Sequence, residues 1–161
     1  MIYTIDQPLK ALSWRQPYGD LMFADKIETR SWPTKYRGWV LICASQKAYP
    51  IDLVIDISGV YQFNRIIDFV DDHKNDTIHL KNIDTSISML GISGHALGIG
   101  RLVDCRKMLP GDEDKCYVEY HPHLWCHIYE DCKRILPFDF KGGQKWTDVK
   151  ADKKRLIKFL D

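Results

Sequence analysis

A surplus of charge of one sign is what this 161-residue chain most plainly lacks: 23 lysines and arginines face 22 aspartates and glutamates, for a formal net charge of +1. That balance excludes a polybasic nucleic-acid carrier, so any contact with nucleic acid has to be local. Long apolar runs are also missing. The uncharged stretch from Ser86 to Gly100 falls short of the ~20 residues a membrane helix needs and is rich in glycine and serine, which argues against a membrane partner. The cysteines, Cys43, Cys105, Cys116, Cys126 and Cys132, are odd in number. No charged-then-apolar leader precedes them, so a reducing, cytoplasmic setting is expected rather than a disulfide framework. Glycines 91, 94, 98 and 100 form no G-x-G-x-x-G and bring no Walker lysine, so no cofactor is implied. No internal repeat is present.

The length and the 45% hydrophobic content fit one domain, residues 1–161, with one core. Charge is unevenly spread: residues 1–50 carry seven basic and four acidic side chains, 51–90 three and seven, 91–161 thirteen and eleven. A phosphate-bearing ligand is therefore better received by the first and last thirds.

Leu9 to Trp14 is short and partly apolar, and Pro17 is placed to open a helix running to about Ala24, with Tyr18, Leu21 and Met22 on one face. A strand-like run from Lys26 to Trp32 follows. Trp32 to Gly38 reads as an ordered loop, since Pro33 fixes one dihedral and Gly38 can supply a positive φ. Trp39 to Ser45 is apolar almost throughout, as a strand packed on both faces requires. Between about 49 and 90 the pattern turns helical, with Phe63, Ile66, Ile67 and Val70 in register. The polar stretch Asp71 to Asp76 then reads as a solvated connection within an inserted excursion. Ala96 to Cys105 returns to strand, with Gly98 and Gly100 suited to bulges. Leu124 to Tyr129 is another strand. A lysine-rich helix is expected over Val149 to Leu160, docking Leu156, Ile157 and Leu160. The pattern predicts a mixed α+β chain built around a β-barrel, with flanking short helices and a helical insertion around residues 51–90.

Three blocks in fixed order, Ala11-Leu12-Ser13-Trp14-Arg15-Gln16-Pro17-Tyr18, Glu28-Thr29-Arg30-Ser31-Trp32-Pro33-Thr34-Lys35-Tyr36-Arg37-Gly38 and Leu41-Ile42-Cys43-Ala44-Ser45, resemble the ASCH domain family. The run from Gly98 to Cys105 and the segment from Leu124 through Pro137 and Gly142 resemble its second half, so the likeness covers most of the chain outside Tyr49 to Leu90. The resemblance implies a PUA-like barrel with a cleft lined by the first helix and the Glu28–Trp32 block. It implies no single activity, because a fold does not decide one.

A pocket for a nucleobase needs a flat apolar face, a few hydrogen-bonding groups and nearby cations for phosphate. The first third supplies all three: Trp14 or Trp32 to stack, Glu28 to accept from an exocyclic amine, and Arg30, Lys35 and Arg37 to meet phosphate or to stack. Tyr36 belongs to the same cluster, and Ser13, Gln16 and Ser45 add neutral hydrogen bonds. The plainer reading makes Glu28 and Arg30 a cross-barrel ion pair, Trp32 and Tyr36 core, and Arg37 a loop brace. On the functional reading the partner is single-stranded RNA or a modified nucleoside. One branch of the family resembles amidohydrolases that deacylate modified cytidine through a lysine and a threonine three positions apart. Lys26 and Thr29 have that separation, beside Glu28, although aligning Glu28 and Arg30 with the family puts Asp25 where many members carry lysine. A desolvated lysine can activate a hydroxyl or a water. The remote glutamate of that mechanism falls on Glu113, Glu119 or Glu130. A third reading is an adaptor whose acidic excursion docks a protein partner.

His121, His123, Cys126, His127 and Cys132 are the metal-like residue types, but their spacing matches no zinc pattern. On a strand Cys126 and His127 point to opposite faces, so no metal is expected.

Overall fold

The computed structural model describes residues 1–79 and 86–160. In chain order these form β1 (Leu9–Trp14), α1 (Tyr18–Leu21), β2 (Glu28–Arg30), β3 (Gly38–Ala44), α2 (Ile51–His73), β4 (Thr77–His79) and β5 (Ser86–Ser88). There follow β6 (His95–Lys107), α3 (Glu113–Cys116), β7 (Trp125–Asp139), β8 (Thr147–Asp148) and α4 (Ala151–Lys154). The architecture is α+β: one six-stranded sheet in the order β2-β7-β6-β3-β1-β8, a separate two-stranded sheet of β4 and β5, and helices that are short apart from α2. No ladder joins the edge strands β2 and β8 among the described residues.

β1 and β3 run parallel, Leu9 opposite Trp39 through Trp14 opposite Ala44, with α1 and β2 in the crossover between them. Alternation along these strands divides two apolar clusters. Leu12, Trp14, Val40 and Ile42 face the cluster that α1 and α2 cover, whereas Leu9, Ala11, Trp39, Leu41 and Cys43 face the cluster completed by Tyr3, Ile135 and Val149. The near-continuous apolar run of β3 is thus buried on both faces, as its composition predicts.

The first helix ends after one turn and continues as a 3-10 turn over Met22–Ala24, with Tyr18, Leu21 and Met22 buried as their spacing requires. Gly38 enters β3 at a φ of +139°. β6 and β7 form a long antiparallel ribbon, with register shifts at Ala96/Gly98, Ile99/Arg101 and Leu102/Asp104, so two of the three bulges fall at the strand glycines. A Cβ on Gly98 would overlap the Phe23 ring and the Lys133 carbonyl, so close backbone approach explains this glycine.

The insertion holds more helix than its apolar register marks. α2 spans 23 residues, starting after Pro50 and breaking at Gly59 (φ 80°, ψ 160°), with Val54 and Ile66 buried. Residues 80–85 of the expected 51–90 excursion lie outside the described residues.

Two expected elements are shorter than their sequence patterns. The strand from Lys26 to Trp32 pairs only over Glu28–Arg30, opposite His127 to Trp125, because Ile27 N–H instead donates to the Lys115 carbonyl at 2.9 Å. The C-terminal helix is a single turn, Ala151–Lys154. Beyond it the backbone bonds the edge of β7: Leu136 N–H donates to Lys158 O at 2.7 Å and Leu160 N–H to Arg134 O at 3.1 Å. Sheet pairing there outcompetes helix propagation, and Ile157 docks while Leu156 stays exposed.

No helix among the described residues is long and apolar enough to cross a membrane.

Candidate functional site

A cleft of about 840 Å³ lies where the end of β1 meets β2, walled also by the segment after β3 and by the loop before β8. Of the residues singled out from sequence, Ser13, Trp14, Lys26, Glu28, Thr29, Arg30, Trp32 and Ser45 line it. Gln16, Lys35, Tyr36 and Arg37 do not.

These four have other work or lie elsewhere. Gln16 is buried, its Nε2 donating to Ile92 O at 3.0 Å and its Oε1 accepting from Asp20 N–H at 3.0 Å, so it ties α1 to the loop before β6. Tyr36 donates its hydroxyl to Trp39 O at 2.7 Å and packs on Trp146. Arg37 braces its own loop through the carbonyls of Thr34 and Tyr36. Lys35 is exposed on that loop. For Tyr36 and Arg37 the plainer reading of the sequence describes the structure.

At the centre of the cleft wall is a buried charge row. Lys26 Nζ donates to Glu28 Oε1 at 2.8 Å and to Ile27 O at 3.1 Å. Arg30 Nε lies 3.0 Å from Glu28 Oε2, an ion pair out of line for a hydrogen bond, and its Nη2 donates to Ser13 O at 2.9 Å. That last bond ties β2 to β1, strands that share no ladder. The side chains of Lys26, Glu28 and Arg30 are 1%, 8% and 16% exposed. Burial raises the Glu28 carboxyl, and the charges of Lys26 and Arg30 more than reverse this, leaving it below the ordinary glutamate value. With both oxygens held by cations, Glu28 orients them rather than standing free to read a base edge.

The aromatic groups differ in what they offer. Trp14 is 1% exposed, with the Arg30 guanidinium 5.0 Å from its ring and Tyr129 edge-on. Trp32 is half-buried, with His127 at 5.0 Å and Trp146 at 6.1 Å, each ring near-perpendicular to its own, and the Arg30 guanidinium 6.0 Å from its ring, so it is the less buried of the two indoles in the cleft wall. His127 Nε2 donates to Trp32 O at 2.8 Å; burial pushes this histidine below its usual value, against the opposing pull of that carbonyl.

Sequence reasoning missed Arg15, Tyr18, Lys47, Tyr49 and Lys145 as lining residues. Arg15 donates to the carbonyls of Lys47 and Ala48 and sits 4.1 Å over Tyr49. Tyr18 shares a 2.5 Å hydrogen bond with Ser58, and mainly burial pushes its hydroxyl up to about 12. Arg15 and Tyr18 lie inside the block that already drew attention, whereas Lys47 and Lys145 carry no local signal. None of Glu113, Glu119 and Glu130 lines the cleft, and no hydrogen bond joins Lys26 to Thr29 among the described residues. Among the described residues no group of three or more His, Cys, Asp or Glu side chains could hold a metal ion.

Compared with known proteins, the chain matches no family model and no curated sequence.

The lining includes five cations, Arg15, Lys26, Arg30, Lys47 and Lys145, and one carboxylate, Glu28. In a chain of net charge +1 this is a strongly biased local field, facing a cleft whose lining also includes the half-buried Trp32.

Proposed function

We propose that this cleft recognises a base, carried by single-stranded RNA or by a modified nucleoside, and that the chain is an ASCH-type, PUA-like binding module. The observation that carries the reading is the concentration of five cations around one fully ion-paired carboxylate, beside the half-buried Trp32, in a single concave wall. Trp32 stacks the base. Arg30, fixed by Glu28 and the Ser13 carbonyl, and the rim lysines Lys47 and Lys145 take phosphate. As an ammonium, Lys26 has one proton left after Glu28 and Ile27 O, enough for one hydrogen bond to a carbonyl on the ligand. The barrel implied by the family resemblance would be closed at this point by the Arg30 side chain rather than by a backbone ladder.

The test is binding of short single-stranded RNAs and a panel of modified nucleosides at low and moderate salt. Affinity that falls with salt, and falls about 5- to 150-fold in Trp32→Ala while the melting temperature holds, supports the reading. No binding to any of these at low salt refutes it.

The amidohydrolase reading is favoured by one observation, that Lys26 and Thr29 reach the same wall. It requires turnover of N-acylated cytidine seen as a mass change and lost in Lys26→Ala. Binding without mass change removes it.

A further inference from the structure

The second surface of note lies on α2, next to the cationic cleft, with Tyr49 in the wall of both. Beyond the kink at Gly59, Val60, Phe63, Ile67 and Val70 follow one another at spacings of three, four and three, a single helical stripe. Val60 is 68% exposed, Ile67 41% and Val70 38%, and the stripe borders an apolar groove of about 420 Å³ whose far wall includes Leu90. Five exposed aspartates, Asp52, Asp56, Asp68, Asp71 and Asp72, accompany one arginine along Ile51–His73 and flank the groove, whose wall also carries Lys74, 3.8 Å from Asp71 Oδ1. Apolar side chains left open to this extent on one helix mark a contact surface.

The same chain carries the complement. Residues 150–160 hold five basic side chains, Lys150, Lys153, Lys154, Arg155 and Lys158, against one aspartate, and leave Leu156 48% and Phe159 37% exposed. Within one molecule the two surfaces lie apart. Val54 and Ile66 of α2 join the cluster on one face of β1 and β3, whereas Val149 and Ile157 join the cluster on the opposite face. Pairing α2 with α2 of another copy would set aspartates against aspartates, which opposes a two-fold contact through that helix.

We propose that residues 150–160 of one copy dock on the α2 groove of a second copy, so that this protein self-associates head to tail. Leu156 and Phe159 supply the apolar contact, and the lysines and Arg155 meet the aspartate row. Because the two surfaces sit on opposite faces, the contact is heterologous and propagates instead of closing as a dimer.

Sedimentation velocity of the full chain from low micromolar to near-millimolar concentration tests this. Mass rising past that of a dimer, and falling back as salt is added, is expected. A mass fixed at the monomer or at the dimer throughout overturns the proposal. Two charge variants decide the surfaces: Asp68→Lys/Asp71→Lys/Asp72→Lys, and Lys150→Glu/Arg155→Glu/Lys158→Glu. Each alone should stay monomeric, since its own two surfaces then carry like charge, while an equal mixture should assemble as the wild type does. Assembly of either variant alone refutes the assignment, and so does failure of the mixture when both variants keep the wild-type circular dichroism spectrum.

Discussion

Glu28→Gln is the most telling single substitution, because it preserves shape and removes only charge. In the wild type the Lys26 and Glu28 side chains are 1% and 8% exposed and joined at 2.8 Å, with Arg30 at 3.0 Å on the other oxygen. Glutamine keeps the volume, so no cavity opens, but two cations then share a desolvated wall with no anion between them. Breaking a buried pair by removing one partner costs about 3–5 kcal/mol, a large part of the roughly 5–15 kcal/mol by which a domain this size is stable. Arg30, at 16% exposure, can turn partly to solvent, so the expected loss lies toward the lower figure. Urea titration followed by tryptophan fluorescence reads it as a lower midpoint at unchanged slope. Lys26→Met combined with Glu28→Gln should cost less than the two single changes added, with a coupling of about 1–3 kcal/mol. A Glu28→Gln loss below about 1 kcal/mol, or strict additivity of the pair, would mean that the charge row is solvated and the account of the wall is wrong.

Three further outcomes follow from the same geometry. Glu28 and His127 both titrate below their ordinary values in the folded chain, so the unfolded chain binds more protons. Stability should therefore fall first as pH drops below the ordinary histidine value of 6.5, and again below the ordinary glutamate value of 4.5; a shallower lower step in Glu28→Gln, with the part carried by Asp112 at lower pH remaining, checks the assignment. Gly98→Ala should destabilise by about 2 kcal/mol or more, since the added methyl meets the Phe23 ring and a backbone carbonyl, and a thermal midpoint equal to wild type would contradict the close approach. Lys47→Ala/Lys145→Ala should leave the melting temperature alone while lowering the salt slope of RNA binding by about 2, and an unchanged slope would place the phosphates elsewhere.

How far the site was legible in the sequence depends on whether its residues are neighbours in the chain. Glu28, Arg30, Trp32, Ser13 and Trp14 stood out because a mixed cluster of charged, aromatic and small polar types beside Pro33 and Gly38 is unlike a plain surface, and all five line the cleft. Tyr36, Arg37 and Gln16 belong to the same segments and carry the same chemistry. Tyr36 and Arg37 turn to carbonyls of their own loop and of Trp39, set by how that loop folds back on itself, whereas Gln16 turns to Ile92 O, an acceptor that only the tertiary structure brings near. Lys145, more than a hundred residues from Glu28, has nothing nearby in the chain to mark it.

The local pattern by itself determined what depends on neighbouring residues: the alternation that buries β3 on both faces, the helical spacing of Phe63 to Val70, the glycines at bulges, and the mixed α+β class. Those follow from backbone period and side-chain size, which act over a few residues. Tertiary structure alone decided where strands and helices stop and which charges meet. β2 shrank to three residues because α3 took its neighbour's hydrogen bond, and the C-terminal helix gave way to pairing with β7. Glu28 became the anchor of two cations because strand pairing and burial held it between them, where desolvation makes an unpaired charge too costly to leave.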